Sequence, residues 1–212
     1  MGQGAYIFCE LASVQDNNRP YQMAMKSLEA KATAKCLSDW SPKGFNMATA
    51  LSPTSGDFGR TTILPALFDD HSGNPMTSGT WRQLFTTQGN QTLIQGVRSG
   101  ETIPEDMKVA WIGLAFPNKQ QHITEVKWQI GDRKYGRINL EEMHMYETPA
   151  LIFAEGFILD EEESFHLYGY VEGPIPTHHD DYEALHQSIV MLGATYFKNV
   201  SKVLGATGQA IP

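Results

Sequence analysis

The side chains best placed to do chemistry are His179, Glu183 and His186. At i, i+4 and i+7 they would share one face of a helix. Two imidazoles and a carboxylate form a ligand set that zinc and similar metals accept. The spacing is not the His-Glu-x-x-His pattern, and Asp, His and Glu at a helix start are also what capping selects. No resident metal or cofactor is therefore predicted, and these three residues stand as the best candidates for one. Asp160-Glu161-Glu162-Glu163 offers four carboxylates in a row. Calcium takes several oxygen ligands, but the run lacks the alternation and the glycine of an EF-hand loop. It reads as a solvated turn. His166, Tyr168 and Tyr170 alternate along a strand and fall on one face, where they could stack on a sugar, meet a partner or lie beneath a helix.

Covalent and redox chemistries find little support. There is no Gly-x-Ser-x-Gly elbow and no phosphate loop, and Gly2-Gln3-Gly4 lacks the rest of a dinucleotide fingerprint. Cys9 has no obvious His partner. Acids are abundant, but nothing in their spacing sets two across a cleft. The chain reads as non-enzymatic.

Charge says more. From Ile138 to Phe197 there is no lysine or arginine, while the segment holds 12 of the 24 acids and five of the seven histidines. Lys127, Arg133, Lys134 and Arg137 surround one hairpin instead. That cluster is too small to hold a phosphate backbone, so direct nucleic-acid binding is not expected. It would complement the acidic run, above all Asp160, Glu161, Glu162 and Glu163, on another copy of the chain. Charged residues make up 19% of the sequence, below the usual value of roughly 25%, which leaves more neutral surface for contact.

The elements that must position these residues follow from periodicity. Pro20 to about Leu37 predicts a helix, with Tyr21, Met25, Leu28, Ala32 and Cys36 on one face. Residues 38–60 read as loop. From Thr61 the period changes to strands. Pro65 makes Thr61–Phe68 an edge or bulged strand, and Thr80–Thr87 and Gln91–Arg98 flank Gln88-Gly89-Asn90 as a hairpin. Met107–Phe116 is apolar on both faces, the mark of a strand covered on both sides. Ile123–Ile130, Arg133–Leu140, Pro149–Leu159 and Phe165–Glu172 complete about eight strands. A long helix is predicted over Asp180–Leu204, where Tyr182, Leu185, Ile189, Leu192, Tyr196, Val200 and Val203 recur at spacings of three and four.

The fold class expected is thus mainly β: an antiparallel sandwich with an N-terminal helix and a long C-terminal helix. Residues 1–60 would form an arm, helix and loop, 61–175 the sandwich, and 176–212 the C-terminal helix and tail, all in one domain. No apolar run approaches the ~20 residues that span a bilayer, though membrane contact is not excluded. No secretion signal is evident, and Cys9 and Cys36 make no disulfide framework.

The run from Glu125 to Leu140, Glu-Val-Lys-Trp-Gln-Ile-Gly-Asp-Arg-Lys-Tyr-Gly-Arg-Ile-Asn-Leu, leading into Thr148-Pro-Ala-Leu-Ile-Phe153, reads like successive strands of a capsid-type sandwich. Over residues 61–172 the layout resembles the jelly-roll structural proteins of viruses. That resemblance implies a subunit that self-assembles into a virion capsid or shell, made in the host cytoplasm, with copies of itself and other shell proteins as partners. A fold of this kind hosts many functions. A carbohydrate-binding sandwich using Tyr and Trp faces is the alternative, and a metal-dependent enzyme on His179, Glu183 and His186 the third. Protonation of His144, His166, His178, His179 and His186 near pH 6 would offset repulsion in the acidic run and tighten contacts there.

Overall fold

The computed structural model describes residues 5–10, 19–40, 58–77, 79–97, 100–118, 121–173 and 186–198. Among them are thirteen strands: β1 (Tyr6–Cys9), β2 (Gly59–Thr62), β3 (Phe68–Asp69), β4 (Arg82–Leu84), β5 (Gly89–Gly96), β6 (Met107–Ala115), β7 (Ile123–Ile130), β8 (Arg133–Lys134), β9 (Ile138–Asn139), β10 (Ala150–Leu159), β11 (Phe165–Val171), β12 (His186–Ser188) and β13 (Val190–Phe197). Two α-helices accompany them, α1 (Arg19–Trp40) and the short α2 (Glu141–Met145), with one 3-10 turn at Pro65–Leu67. The chain is mainly β and antiparallel, with more strands than the eight expected.

Sheet A has the order β1-β10-β6-β13-β2, and sheet B the order β3-β5-β11-β7-β8, with β9 also on β7. A third pair joins β12 to β4. Successive strands change sheets: β6 in sheet A leads to β7 in sheet B, and β10 in sheet A leads to β11 in sheet B. The chain thus wraps around one core, as in double Greek-key rolls. That core lies between the sheets and contains Trp111, Trp128, Phe153 and Phe165. The Trp111 ring meets the others edge to face, Trp128 at 5.5 Å and Phe153 at 4.9 Å between centroids. Pairs in this geometry gain beyond the area they bury.

A second apolar cluster lies on the far side of sheet A. There Leu28, Ala32 and Cys36 of α1 pack on Ala110, Ile112, Ala150, Ile152 and Ala194. Small side chains on the sheet let the helix come close. Gly156 shows how close: its φ is +66°, and a Cβ there would stand 2.6 Å from the Leu28 side chain.

The long C-terminal helix is not formed. Residues 186–198 instead make β12 and β13, and β13 runs between β6 and β2 inside sheet A. Covered by α1 on one face and by the core on the other, β13 is apolar on both parities. The two-residue alternation that marks a half-buried strand is therefore missing. The remaining apolar positions happen to recur at three and four. Gly193 was the contrary signal, since glycine disfavours a helix interior. It takes φ +148°, and a Cβ there would meet the Ala110 carbonyl oxygen at 2.0 Å. Both β1 and β13 lie outside residues 61–175 yet belong to sheet A.

A second correction concerns the expected hairpin at Gln88-Gly89-Asn90. β4 pairs with β12, and β5 pairs with β11 and β3. Gln83 of β4 points inward and is buried, and its amide donates to the Leu93 carbonyl at 2.8 Å. That tie holds β4 beside β5 without a ladder between them.

Candidate functional site

The acidic loop between β10 and β11 is largely occupied by its own chain. Lys108, on the α1 side of β6, is 1% exposed. Its ammonium lies 2.8 Å from Asp160 Oδ1, 2.9 Å from Asp39 Oδ2 and 3.8 Å from Glu161 Oε1. Lys35 reaches Asp160 Oδ2 at 3.0 Å. The Trp40 indole donates to Glu161 Oε1 at 3.2 Å, and its ring stands 5.2 Å from the Lys108 ammonium. The Asp106 N–H donates to Glu161 Oε2 at 2.9 Å. Glu163 Oε2 accepts the Asp160 N–H at 3.1 Å. Only Glu162 of the four points freely to solvent. The run is thus a clamp on a buried lysine more than a solvated turn.

Electrostatics follow from that geometry. Burial alone would lower the Lys108 value, but hydrogen bonds to Asp160 and Asp39 outweigh it and raise the value. The Lys108 hydrogen bond holds the Asp39 carboxyl below the usual carboxylate range. Burial beside the cluster pushes the Cys36 thiol up to about 12. A lysine inside the otherwise apolar run 107–116 was the sequence signal for this cluster.

The basic residues are divided among separate neighbours. Arg133 and Lys134 are exposed on β8. Arg137 pairs with Glu125 at 2.8 Å. Lys127 lies over the Tyr168 ring, 5.3 Å from its centroid. The turn at Gly131 packs against the Glu163 side chain, and its N–H donates to the Ser164 carbonyl at 2.8 Å. The basic hairpin and the acidic loop are therefore neighbours within one subunit.

The His166, Tyr168 and Tyr170 stripe lies on the outer face of sheet B. Cross-strand neighbours set it in rows: Gln95, His166 and Gln129, then Thr92, Tyr168 and Lys127, then Asn90, Tyr170 and Glu125. Among the described residues no helix lies over this face. The aromatic faces are nevertheless taken. His166 stacks on Tyr168 with an interplanar angle of 3°, and Lys127 stands over the same ring. His166 Nε2 meets Glu101 Oε2 at 2.6 Å. Tyr170, 37% exposed, is the ring left open.

His186 sits on β12, and its carbonyl accepts from the Asn118 amide at 2.8 Å. His179 and Glu183 lie outside the described residues, as does His178, and the helical spacing proposed for the metal set does not hold at His186. Among the described residues no three His, Cys, Asp or Glu side chains group as a metal site. His144 on α2 contacts the Ile123 carbonyl oxygen at 3.2 Å, so the described histidines of the acidic run are dispersed over α2, β11 and β12.

Sequence reasoning missed an uncharged groove of about 570 Å³ between β1 and α1, lined by Tyr6, Ile7, Met23, Ala24, Ile152 and Phe153 among others. Ile7 is 46% and Met23 64% exposed. Among the described residues β1 is also the edge of sheet A. The Ala154 N–H donates to the Ala5 carbonyl at 2.8 Å, so by the alternation of an antiparallel ladder the backbone groups of Tyr6 and Phe8 face the open edge. Four residues, Tyr6–Cys9, were too few for any period to show.

No protein-family model and no curated protein sequence matches the chain. Among the described residues no helix is long and apolar enough to cross a membrane.

Proposed function

We propose that the protein is a non-enzymatic structural subunit that packs with copies of itself and with other shell proteins into a larger particle, a virion capsid or shell. The observation that carries this reading is the β1 edge. Among the described residues nothing pairs with the outer side of β1, and such a strand edge beside exposed Tyr6, Ile7 and Met23 is a pairing hazard that soluble monomers blunt with charge, proline or a covering element. No charged residue lines the groove beside it, so an uncharged surface can seat there without stripping water from an ion. The wrapped two-sheet strand order supports the same reading, since shell subunits use it among other proteins.

Light scattering on the eluting protein, with electron microscopy of the largest fraction, tests the proposal. Particles or defined oligomers are expected, and the double variant Ile7→Asp with Met23→Asp should shift them toward monomer. A wild-type protein that stays monomeric at high concentration together with its native partners would remove the basis for the reading. The carbohydrate alternative rests on Tyr170, because the Tyr168 ring already has His166 stacked on it and the Lys127 ammonium over it. A glycan array with hits abolished by Tyr170→Ala would favour it instead.

A further inference from the structure

We infer that α1 is a latched cover: it undocks from sheet A as a unit while the sandwich stays folded, and the Lys108 ion cluster is the latch. Three observations carry this. First, the apolar contacts under α1 form a cluster separate from the core between the sheets. The core keeps its Trp and Phe rings when α1 leaves. The helix withdraws Leu28, Ala32 and Cys36, which are fully buried, with Tyr21, Met25 and Trp40 partly buried beside them.

Second, the latch joins three elements at one end of α1. Lys108 belongs to β6, Asp39 and Lys35 to α1, and Asp160 and Glu161 to the β10–β11 loop. Removing one partner of a buried charge leaves the other uncompensated, and that is where such clusters fail. Third, Asp39 lies in the last turn of α1, where the helix dipole disfavours an acid, and that turn holds no basic residue of its own. The buried ammonium of Lys108 makes Asp39 favourable there. Without it Asp39 keeps only the exposed Lys35 ammonium, 3.5 Å away, against the carbonyls of the helix end.

The groups facing Lys108 are Lys35, Cys36 and Asp39 from α1, with the Trp40 ring, and Asp160 and Glu161 from the loop. The nearby Asp106 carboxylate is held at 3.2 Å by Lys198. Acidification that neutralises Asp39 therefore opens the latch, and what is uncovered is the apolar face of Ala110, Ile112, Ala150, Ile152 and Ala194.

Cys36 reports the opening, because it is fully buried beneath α1. In a Cys9→Ser background, alkylation of Cys36 at pH 8 is expected to run at least tenfold faster in Lys108→Met than in the parent, with the amides of β6 and β13 still protected from exchange. Asp39→Asn should act in the same direction with less disruption. Native-state hydrogen exchange on the wild-type protein serves as a control that needs no variant: α1 amides should exchange by a route that leaves β6 and β13 protected. Equal alkylation rates in the parent and both variants would overturn the proposal. So would α1 amides that exchange only together with those of β6 and β13.

Discussion

The two outer faces of this sandwich have the same backbone and opposite fates. The outside of sheet A carries Ala110, Ala150 and Ala194 and lies under α1. The outside of sheet B carries Gln95, Gln129, Lys127, His166 and Tyr168 and has no helix over it among the described residues. Side-chain length decides the difference. Alanines and glycines bring a helix within van der Waals reach, and a long polar row keeps one away and satisfies itself by lateral contacts. The covered face depends on fit, and the open face depends on little. Substitutions should therefore cost far more on the first than on the second.

The largest effect is expected where sheet A tolerates no side chain at all. Gly193→Ala places a Cβ 2.0 Å from the Ala110 carbonyl oxygen at a φ of +148°. Backbone strain and overpacking together should cost about 3 kcal/mol or more, read as the change in urea unfolding free energy with circular dichroism. A loss below about 1 kcal/mol would mean that β13 does not sit against β6 as described. Next comes Leu28→Ala, which empties the space over Gly156. A buried leucine lost in this way costs about 2–5 kcal/mol. If α1 undocks separately, the loss falls on α1 first and is visible in its exchange rates before it reaches the core.

The same contrast explains what was legible. β7 and β11 alternate cleanly through Val126, Trp128 and Ile130, or Phe165 and Leu167, because one face of sheet B is wet. Their bounds in the structure lie within one residue of those read from periodicity. β6, with all nine residues buried, was recognisable because an apolar run of that length, broken only by Lys108, suits a strand. β13 was not recognisable, because double burial removed the alternation and Leu192, Tyr196 and their neighbours imitated a helical stripe. The acidic loop was readable as a cluster, but not as a clamp. Its partner Lys108 is 52 residues away from Asp160, and only tertiary structure brings them together. The groove was illegible for a similar reason, since Tyr6 and Met23 become neighbours only after β1 joins β10.

A smaller effect, and one confined to the covered face, concerns acid. The Lys108 hydrogen bond depresses the Asp39 carboxyl in the folded state. A depressed acid contributes stability that is present above its unfolded value, near pH 4, and is lost as pH falls through the lower folded value. Asp39 is about one-third exposed, so solvent screens part of this contribution. The urea midpoint of the wild-type protein should fall on acidification below about pH 4 more steeply than that of Asp39→Asn, which has no such group to protonate. Parallel curves for the two proteins would show that Asp39 is not the residue through which acid acts.

The smallest change is expected on the open face, and it tests the comparison from the other side. Tyr168 has His166 stacked on one face and the Lys127 ammonium over its ring, which on a packed surface would mark an important contact. Both partners keep other support. His166 retains Glu101 at 2.6 Å, and Lys127 gains water as readily as it loses the ring. A cation over an aromatic ring at an exposed site is worth about 0.5–1 kcal/mol, so Tyr168→Ala should cost about 1 kcal/mol or less in the urea unfolding free energy. A loss comparable to that of Leu28→Ala would mean that the outside of sheet B is not a free surface but one whose side chains are packed as tightly as those under α1.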